Sequence, residues 1–594
     1  MDTVLKSNHP LPKTRVDAIT GAVIQGALEN IAIEMGHKLM RMSYSSIIRE
    51  SEDFGAALTD AQGHQLCECR MSTPLQSGPI PGYVRGIIER LKARGEKILP
   101  GDVIMHNDPY GGASHGPDVG FCVPVFDGAE LIGFSMTTAH HLDIGAHTPG
   151  SCGIVDAVDT YAEGLQFKAI KVVEQGKRND MVWHIMRDNI RISDLVVGDM
   201  EAQIAAAQIG ANRFLDLVKR YGHATVKNAC EDLMDYSERL MRGAIAAIPD
   251  GTYSAKTFID GYIDDPDPAR RDLPICVTIT VAGDEMTVDL AGTAPQVSDR
   301  PINMPLVGTV DCAIWMTVRS ILLDSVTYGN IPQNSGLTRP IRIVAPKGCL
   351  ANPIFPAPVI ARFCPGNAVA DTLMKALAPA VPRQVSAGIG NLRVIAFSGA
   401  VNDQPWVHME ILEGSYGGRF GMDGMDAVDT LYANTRNNPI EDIESHLPLR
   451  VDRYELREDV VAPGEWRGGI GTVREFTYLT DGGFSIEGDG VKYSPWGFGG
   501  GTDGTPASLL HESRGKQAPL PSKEPYKKAK AGDRIVTYGP SGGGYGDPFK
   551  RRPDAVLENV LDGLISLETA RAHYGVAIAA GKVDSAATAK LRAR

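Results

Sequence analysis

The sequence predicts an α+β protein of several domains, with an N-terminal mixed α/β region, β-rich domains containing many glycine loops, and a short helical tail. The chain has 594 residues, several times the usual domain length, so roughly two to four domains are expected. Apolar residues recur at helical spacing near the N-terminus, whereas alternating runs and glycines dominate later parts. The predicted domains are 1–250, 251–400, 401–548 and 549–594.

The first element is predicted to be a long helix from Thr14 to about Ile48, because apolar residues recur every three or four positions. Alternation then begins at Phe54, and the turn sequence Asp60–Gly63 predicts a hairpin. Asp53 is therefore expected at the junction between the helix and the first strand.

The next strands end near polar loops. A strand at Asp102–His106 stops at a segment rich in proline and glycine. A strand pair is expected at Gly120–Phe126 and Leu131–Thr138, which places His140 just past a strand end. Loops beyond strand ends are where rigid scaffolds usually present reactive groups.

The remaining elements follow the same two periodicities. Residues Ser193–Ile248 have a helical pattern, and alternating runs after Thr252 predict strands. Two further helices are expected, at Val310–Leu322 and Asn367–Leu377. Glycine loops dominate beyond Ala400, and a short helical tail closes the chain.

Composition excludes several classes of protein. The formal net charge of −13 and the pI near 5.6 argue against nucleic-acid binding, which needs a basic face. The N-terminus has no secretion signal, and the sequence lacks the run of about eighteen apolar residues that spans a membrane. The nine cysteines form no disulfide framework, and Cys67 and Cys69 are interpreted as reduced thiols rather than a zinc knuckle. The cytoplasm is the expected compartment.

Histidines and carboxylates cluster in one stretch of the N-terminal region. Five of the 14 histidines lie between His106 and His147. His115 and Asp118 flank a Gly-Pro turn that can direct both side chains toward one point, and His140 or His141 adds a further nitrogen donor. Zinc and related divalent ions prefer such mixed imidazole and carboxylate ligands. The set predicts a metal site, although each histidine alone would be interpreted as a hydrogen-bonded loop residue.

Two other kinds of site are less well supported by the sequence. The glycine runs Gly497–Gly501 and Ser541–Pro548 lack the form of a nucleotide-binding loop and are predicted to be tight turns. Ser114 adjoins His115, but no nucleophile elbow contains it, and adjacent residues rarely point at each other. A nucleotide site and a serine triad are therefore not expected on this chain.

Several segments together resemble the hydantoinase B family, whose members include parts of hydantoinases and 5-oxoprolinases. These landmarks run in order along nearly the whole chain. They are Asn107-Asp-Pro-Tyr-Gly-Gly followed by His115 and Asp118-Val, Ala139-His-His-x-Asp143-Ile-Gly with Pro149-Gly-Ser151, Arg187-Asp-Asn-Ile-Arg191, Gly468-Gly-x-Gly471, and Gly542-Gly-Gly-Tyr-Gly-Asp-Pro548.

The resemblance implies site residues and a cofactor. The family's metal ligands fall on His115, Asp118 and His140, and its earlier aspartate falls on Asp53. Two residues after Asp53, this chain has Gly55 where the family has a serine. The expected ion is divalent, with zinc or manganese favoured. Asp143 and His147 are candidate catalytic residues, for orienting the ligands or transferring protons.

The resemblance also implies a partner. A larger hydantoinase A-like subunit of the actin-like ATPase type would bind ATP and phosphorylate the substrate, and the pair would form an (αβ)2 particle. The favoured function is the metal-binding subunit of an ATP-dependent cyclic amide hydrolase, which hydrolyses the phosphorylated intermediate. Two alternatives stay open: a subunit of a ketone carboxylase of the acetone or acetophenone type, and a non-catalytic scaffold with a structural metal.

Overall fold

The computed structural model describes residues 14–429, 431 and 433–593. Residues 1–13, which hold most of the N-terminal stretch predicted to carry no secretion signal, lie outside the described residues. The first part of the described chain is built on a single sheet. Its strands are β1 (Phe54–Asp60), β2 (Gln65–Glu68), β3 (Val103–His106), β4 (Asp118–Asp127), β5 (Glu130–His140), β6 (Ile170–Glu174) and β7 (Lys177–Arg178). Their order across the sheet is β2-β1-β5-β4-β3-β6-β7.

Helices cover both faces of this sheet. One hydrophobic core joins one face to the first and sixth helices, and a second core joins the other face to the fourth helix. This layering explains why β4 and β5 are almost entirely buried rather than alternating with exposed residues. The helices are α1 (Ala18–Met42), α2 (Ser46–Arg49), α3 (Pro74–Ser77), α4 (Ile80–Ala93), α5 (Asp180–Asn189), α6 (Ser193–Tyr221) and α7 (His223–Ile245).

Two predicted helices are each divided in the structure. The helix expected from Thr14 to Ile48 is interrupted after α1, because the backbone amides of Tyr44 and Ser45 donate to Asp199 Oδ1 on α6, at 2.6 and 3.2 Å. The helical stretch expected at Ser193–Ile248 is divided at Gly222, whose positive φ of 83° ends α6.

A second sheet follows α7. It contains β8 (Gly251–Asp260), β9 (Asp272–Ala282), β10 (Glu285–Asp289) and β11 (Ile341–Val344), in the order β11-β10-β9-β8. Two buried helices pack with it, α8 (Asp311–Leu322) and α9 (Phe363–Leu377). The second of these begins four residues before the predicted start at Asn367, because Pro365 falls in the first turn, where a proline is tolerated.

The third part is a sandwich of two antiparallel sheets. Aromatic side chains from both sheets, including Phe397, Phe476 and Phe484, meet in one core. The sheets have the orders β13-β12-β16-β19 and β14-β15-β20-β17-β18. The elements are β12 (Arg393–Val401), β13 (Gln404–Leu412), α10 (Ile440–His446), β14 (Leu449–Leu456), β15 (Thr472–Tyr478), β16 (Gly482–Gly488), β17 (Ser508–Ser513), β18 (Lys516–Pro519), β19 (Lys523–Ala529) and β20 (Arg534–Tyr538).

The chain ends in a small helical unit, as the tail prediction requires. Its elements are α11 (Pro553–Leu561), α12 (Leu567–Tyr574), a hairpin of β21 (Ile578–Ala579) and β22 (Lys582–Val583), and α13 (Ser585–Arg592). The predicted mixture of helices and sheets is therefore present, while the predicted divisions at residues 250, 400 and 548 stay predictions. None of the helices in the described ranges has both the length and the apolar character that crossing a bilayer demands.

The two glycine runs serve the packing of the backbone. Gly497–Gly501 contains the predicted tight turn, in which Gly501 N donates to Phe498 O at 3.1 Å. The prediction of a turn for Ser541–Pro548 is wrong for its central residues. Gly542, Gly543 and Gly544 each donate a backbone hydrogen bond to a different distant segment. Glycine is required because a side chain would separate backbones that lie in direct contact.

Substitution of Gly468 tests this packing. A Cβ atom there would lie 2.0 Å from the carbonyl oxygen of Gly542. We expect Gly468→Ala to lower the free energy of unfolding by about 1–3 kcal/mol, measured as a lower melting temperature. Gly26→Ala in α1 is the control, because a Cβ there meets nothing within 4 Å and alanine favours the helix. Equal melting temperatures for the two variants would contradict the proposed role of Gly468.

Candidate metal centre

Three strand ends meet at one end of the first sheet. Strand β4 begins at Asp118 and pairs antiparallel with β5, so that Asp118 lies opposite His140. Strand β1 also pairs antiparallel with β5, and Phe54 lies opposite Ala139. The start of β1, the start of β4 and the end of β5 are therefore adjacent. His140 is the last residue of β5 rather than a residue past its end, because its amide donates to Asp53 O at 3.2 Å.

The side chains of His115, Asp118 and His140 form a group that can hold a metal ion. One ligand atom from each lies within 4.8 Å of the others, and all three residues are buried. Asp118 Oδ1 is 3.0 Å from His115 Nε2 and 2.9 Å from His140 Nδ1. The two ring nitrogens are 3.3 Å apart. A tetrahedral ion with bonds of about 2.0–2.1 Å separates its ligand atoms by roughly 3.3 Å, so the three atoms fit such an ion.

The outward-facing ring nitrogens decide where the protons are. His115 Nδ1 is 2.9 Å from the carbonyl oxygen of Ile360 and must donate to it, because a carbonyl only accepts. His140 Nε2 is 2.7 Å from Ser151 Oγ. Each imidazole therefore has a partner on its far side and turns its other nitrogen toward Asp118. Such outer partners are typical of histidines that bind metals.

Asp118 has a separate partner for each carboxylate oxygen. Its Oδ2 atom accepts from Arg362 Nη2 at 2.7 Å and from the hydroxyl of Ser114, while Oδ1 faces the two histidines. Arg362 Nη2 also lies 3.3 Å from Ser114 Oγ. The backbone oxygen of Asp118 accepts from Tyr83 at 2.7 Å. Both oxygens of the carboxylate therefore have partners that fix its orientation, all within the protein interior.

The charges of the group favour one added cation. Burial, together with the positive charge of Arg362, lowers the pKa of His115 to about 4, so this ring is neutral. Burial opposes ionisation of Asp118, but the positive charge of Arg362 and the hydrogen bond from His140 hold its pKa well below the usual range. Burial alone would lower the pKa of His140. Cys152 and Asp118 outweigh burial and raise this pKa well above its usual range. The three facing atoms, one each from His115, Asp118 and His140, thus have a single proton among them, carried by His140. A metal ion would replace that proton.

Asp53 lies beside the group but is not one of its three members. Its carboxylate is buried and accepts from Thr73 Oγ1 at 3.2 Å. Burial raises its pKa to about 6, the charge of His140 lowers it, and the charge of Asp118 raises it. Asp53 is therefore close enough for the charges of His140 and Asp118 to shift its pKa. Its role as a fourth ligand stays a prediction.

The other predicted residues have partners elsewhere. His141 points to the opposite side of the strand, where its Nε2 atom is 2.9 Å from Gln203 Oε1. Asp143 accepts from Arg191 Nη1 at 2.8 Å. His147 is 3.0 Å from Asp156 Oδ1. The structure thus selects His140 over His141, and it does not bring Asp143 or His147 into the group of three.

Comparisons with known proteins identify the family of this chain. The family model for hydantoinase B/oxoprolinase matches residues 17–548. The chain belongs to the hydantoinase B/oxoprolinase family. A relative from Pseudomonas sp. (strain NS671), named as a putative subunit of a D-/L-hydantoinase, is 65% identical over 581 residues, covering 97% of this chain and 98% of that protein.

Solved structures show the fold of this hydantoinase B family member. The crystal structure of ATP-dependent caprolactamase from Pseudomonas jessenii has a TM-score of 0.87 at 29% identity, covering 98% of this chain and 100% of that one. A nucleotide-free acetone carboxylase structure has the same TM-score of 0.87 at 19% identity, covering 97% and 82%. The second likeness establishes the fold alone.

Sequence analysis of this hydantoinase B family member missed three contributors to the centre. Arg362 and Ile360 lie more than two hundred residues beyond Asp118, in an irregular segment before α9, and no local pattern marks them. Gln76 donates to Asp118 Oδ1 at 2.8 Å from the short helix α3. Ser151 was part of a recognised motif, Pro149-Gly-Ser151, so its presence beside His140 had a signal in the sequence.

Metal analysis tests the group directly. We expect about one divalent ion per chain in protein purified without chelator, and a sharp loss in His115→Ala, because one of three facing donors is removed. His147→Ala is the matched control, since this histidine is paired with Asp156 outside the group. Elemental analysis supplies the measurement. The same metal content in His115→Ala as in His147→Ala would contradict the assignment.

Proposed function

We propose that this chain is the metal-binding subunit of an ATP-dependent cyclic amide hydrolase, and that it hydrolyses a carbonyl-phosphorylated intermediate made by a partner ATPase subunit. The observation that carries the proposal is the convergence of His115 Nε2, Asp118 Oδ1 and His140 Nδ1 on one buried point. The names of the relatives support hydrolysis. The Pseudomonas relative is named as one part of a hydantoinase, and the caprolactamase is described as ATP-dependent.

The residues of this chain would hold and orient the centre. His115, Asp118 and His140 are the proposed ligands, with Asp53 as the fourth, and the ion is zinc or manganese. A bound divalent ion would supply an activated water at neutral pH or stabilise the oxygen that becomes charged. Arg362 and Ser114 hold the second oxygen of Asp118, so the first stays directed at the centre. Burial excludes bulk water, which protects a reactive phosphorylated intermediate.

Asp143 and His147 have proposed supporting roles. Asp143 is fully buried, and its ion pair with Arg191 stabilises the loop that follows His140. The hydrogen bond to Asp156 raises the pKa of His147, which is partly exposed. A histidine of this kind changes protonation near neutral pH and is suited to moving protons between solvent and the site.

The proposed partner is a larger ATPase subunit that binds ATP, and the complex is an (αβ)2 particle in the cytoplasm. An amide carbonyl resists water, whereas its O-phosphorylated form is a good electrophile. The two sites must then share an enclosed route, because a released intermediate would react with bulk water. The interface between the two proteins is expected to bury more than about 2,000 Å².

Reconstitution with the partner tests this division of labour. We expect the isolated chain to show no ATP hydrolysis, and the co-purified complex to couple ATP hydrolysis to opening of a lactam or hydantoin. Asp118→Ala should lower the rate of ring opening by more than about 100-fold. Loss of a hydrogen-bonding partner of a metal ligand typically costs about 10–100-fold, and loss of the ligand itself should cost more. Asp102→Ala is the control, because it removes a buried, ion-paired aspartate that lies outside the centre.

Three outcomes would contradict the proposal. Ring opening by the Asp118→Ala complex, at a lowered melting temperature, would favour the scaffold alternative. Turnover of ketones only, and only with bicarbonate, would favour a carboxylase. ATP hydrolysis by the isolated chain would place the nucleotide site here.

A further inference from the structure

Gln76 is buried beside Asp118 at the sheet end. It lies on α3 and is 1% exposed. Its backbone oxygen accepts from Thr138 Oγ1 on β5 at 2.9 Å. A Cβ atom on Gly55 would lie 2.7 and 2.8 Å from the backbone carbon and oxygen of Gln76. Glycine at position 55 therefore permits α3 to approach β1 closely enough to place this side chain at the centre.

The amide nitrogen of Gln76 bonds to the carboxylate of Asp118. Gln76 Nε2 donates to Asp118 Oδ1 at 2.8 Å, and Gln76 also acts to lower the pKa of the neighbouring Asp53. An ionised carboxylate only accepts hydrogen bonds, so the nitrogen must face Asp118. This requirement fixes the orientation of the carboxamide. Its oxygen, Oε1, necessarily faces another direction.

That oxygen is an acceptor without a donor. Gln76 Oε1 is buried and has no hydrogen-bond partner among the residues that the structure describes. Most buried polar side-chain atoms are paired, because an unpaired one loses its hydration without compensation. An unpaired acceptor on a side chain that already contacts one proposed ligand is suited to a donor that is present only during turnover.

We infer that Gln76 is a positioning residue whose Oε1 atom accepts a hydrogen bond from the N–H or O–H group that reacts at the centre. This inference rests on the proposed function. Two donors have the required chemistry: the attacking water, and the ring N–H of the O-phosphorylated cyclic amide, whose nitrogen keeps its proton when the carbonyl oxygen takes the phosphoryl group. The nitrogen of the same carboxamide keeps Asp118 in place. One neutral side chain would thus orient a proposed ligand and the reactant without altering the charge of the centre.

The test compares Gln76→Met with a matched control. Methionine keeps the length of the side chain and removes both hydrogen-bonding groups. Gln65→Met is the control, because Gln65 is also buried, also bonds to a carboxylate, Glu68, at 2.7 Å, and also has an unpaired Oε1, but lies outside the centre. Each variant is loaded with Co²⁺ and assembled with the ATPase partner. The visible absorption of cobalt reports the centre independently of turnover.

The two donors give different results. If Oε1 serves the attacking water, Gln76→Met shifts the pH midpoint of the cobalt absorption and lowers kcat by about 10–100-fold, with KM unchanged. If it serves the substrate, KM for a lactam rises about tenfold while KM for the N-methyl lactam is unchanged. Gln65→Met changes neither quantity. Identical midpoints, kcat and KM in Gln76→Met and Gln65→Met would overturn the inference.

Two further outcomes are separated by design. Should Gln76→Met not fold, the near-isosteric Gln76→Glu replaces it. This variant retains an acceptor and loses both N–H donors. The same inference therefore predicts that KM for the lactam stays within about threefold of the wild-type value. Cobalt binding should change, because a third carboxylate joins the two aspartates. A tenfold rise in KM for this variant would overturn the inference.

Failure of the wild-type protein to bind cobalt contradicts the proposed function itself, whereas normal cobalt binding with no difference between the variants contradicts only the role of Gln76.

Discussion

The carboxylate of Asp118 is the interaction on which the centre depends. Its two oxygens join the β4–β5 pair to α3 through Gln76 and to the segment before α9 through Arg362. These parts of the chain are up to 244 residues apart in sequence. Because Asp118 and Arg362 are both buried, removal of one partner would leave an uncompensated charge, at a cost of about 3–5 kcal/mol. Stability and the geometry of the centre are therefore linked in one ion pair.

The protonation of the three facing side chains bears on whether the centre can hold a metal ion. Asp118 is ionised, His115 is neutral, and a single proton on His140 is shared among facing atoms. A divalent ion would supply more positive charge than that proton, and the carboxylate of Asp53, whose pKa burial raises only to about 6, is mostly ionised at neutral pH and would offset part of that charge. The nearby aspartate thus suits a centre that exchanges a proton for a metal ion.

Local pattern was enough to predict the elements that carry the centre. Helical spacing, alternation and turn residues located the first helix and hairpin and the β4–β5 pair, and the His-Gly-Pro-Asp turn with His140 selected the three donors. The residue pattern offered His140 or His141, and the family resemblance favoured His140. Strand register gives the physical reason for that choice, because Asp118 lies opposite His140 whereas His141 is bonded to Gln203. Arg362 and Ile360 were missed because their contacts are made only by the tertiary fold, across an irregular segment that has no periodicity.

X-ray absorption at the edge of the bound metal in the wild-type protein measures the ligands of the centre directly. We expect a shell of nitrogen and oxygen neighbours at about 2.0–2.1 Å, with the multiple-scattering signature of two imidazoles and no sulfur. Cys152 makes the absence of sulfur informative, because its thiol is only 3.7 Å from His140 Nε2. A sulfur neighbour at about 2.3 Å, or a spectrum without imidazole scattering, would contradict a centre built on His115, Asp118 and His140.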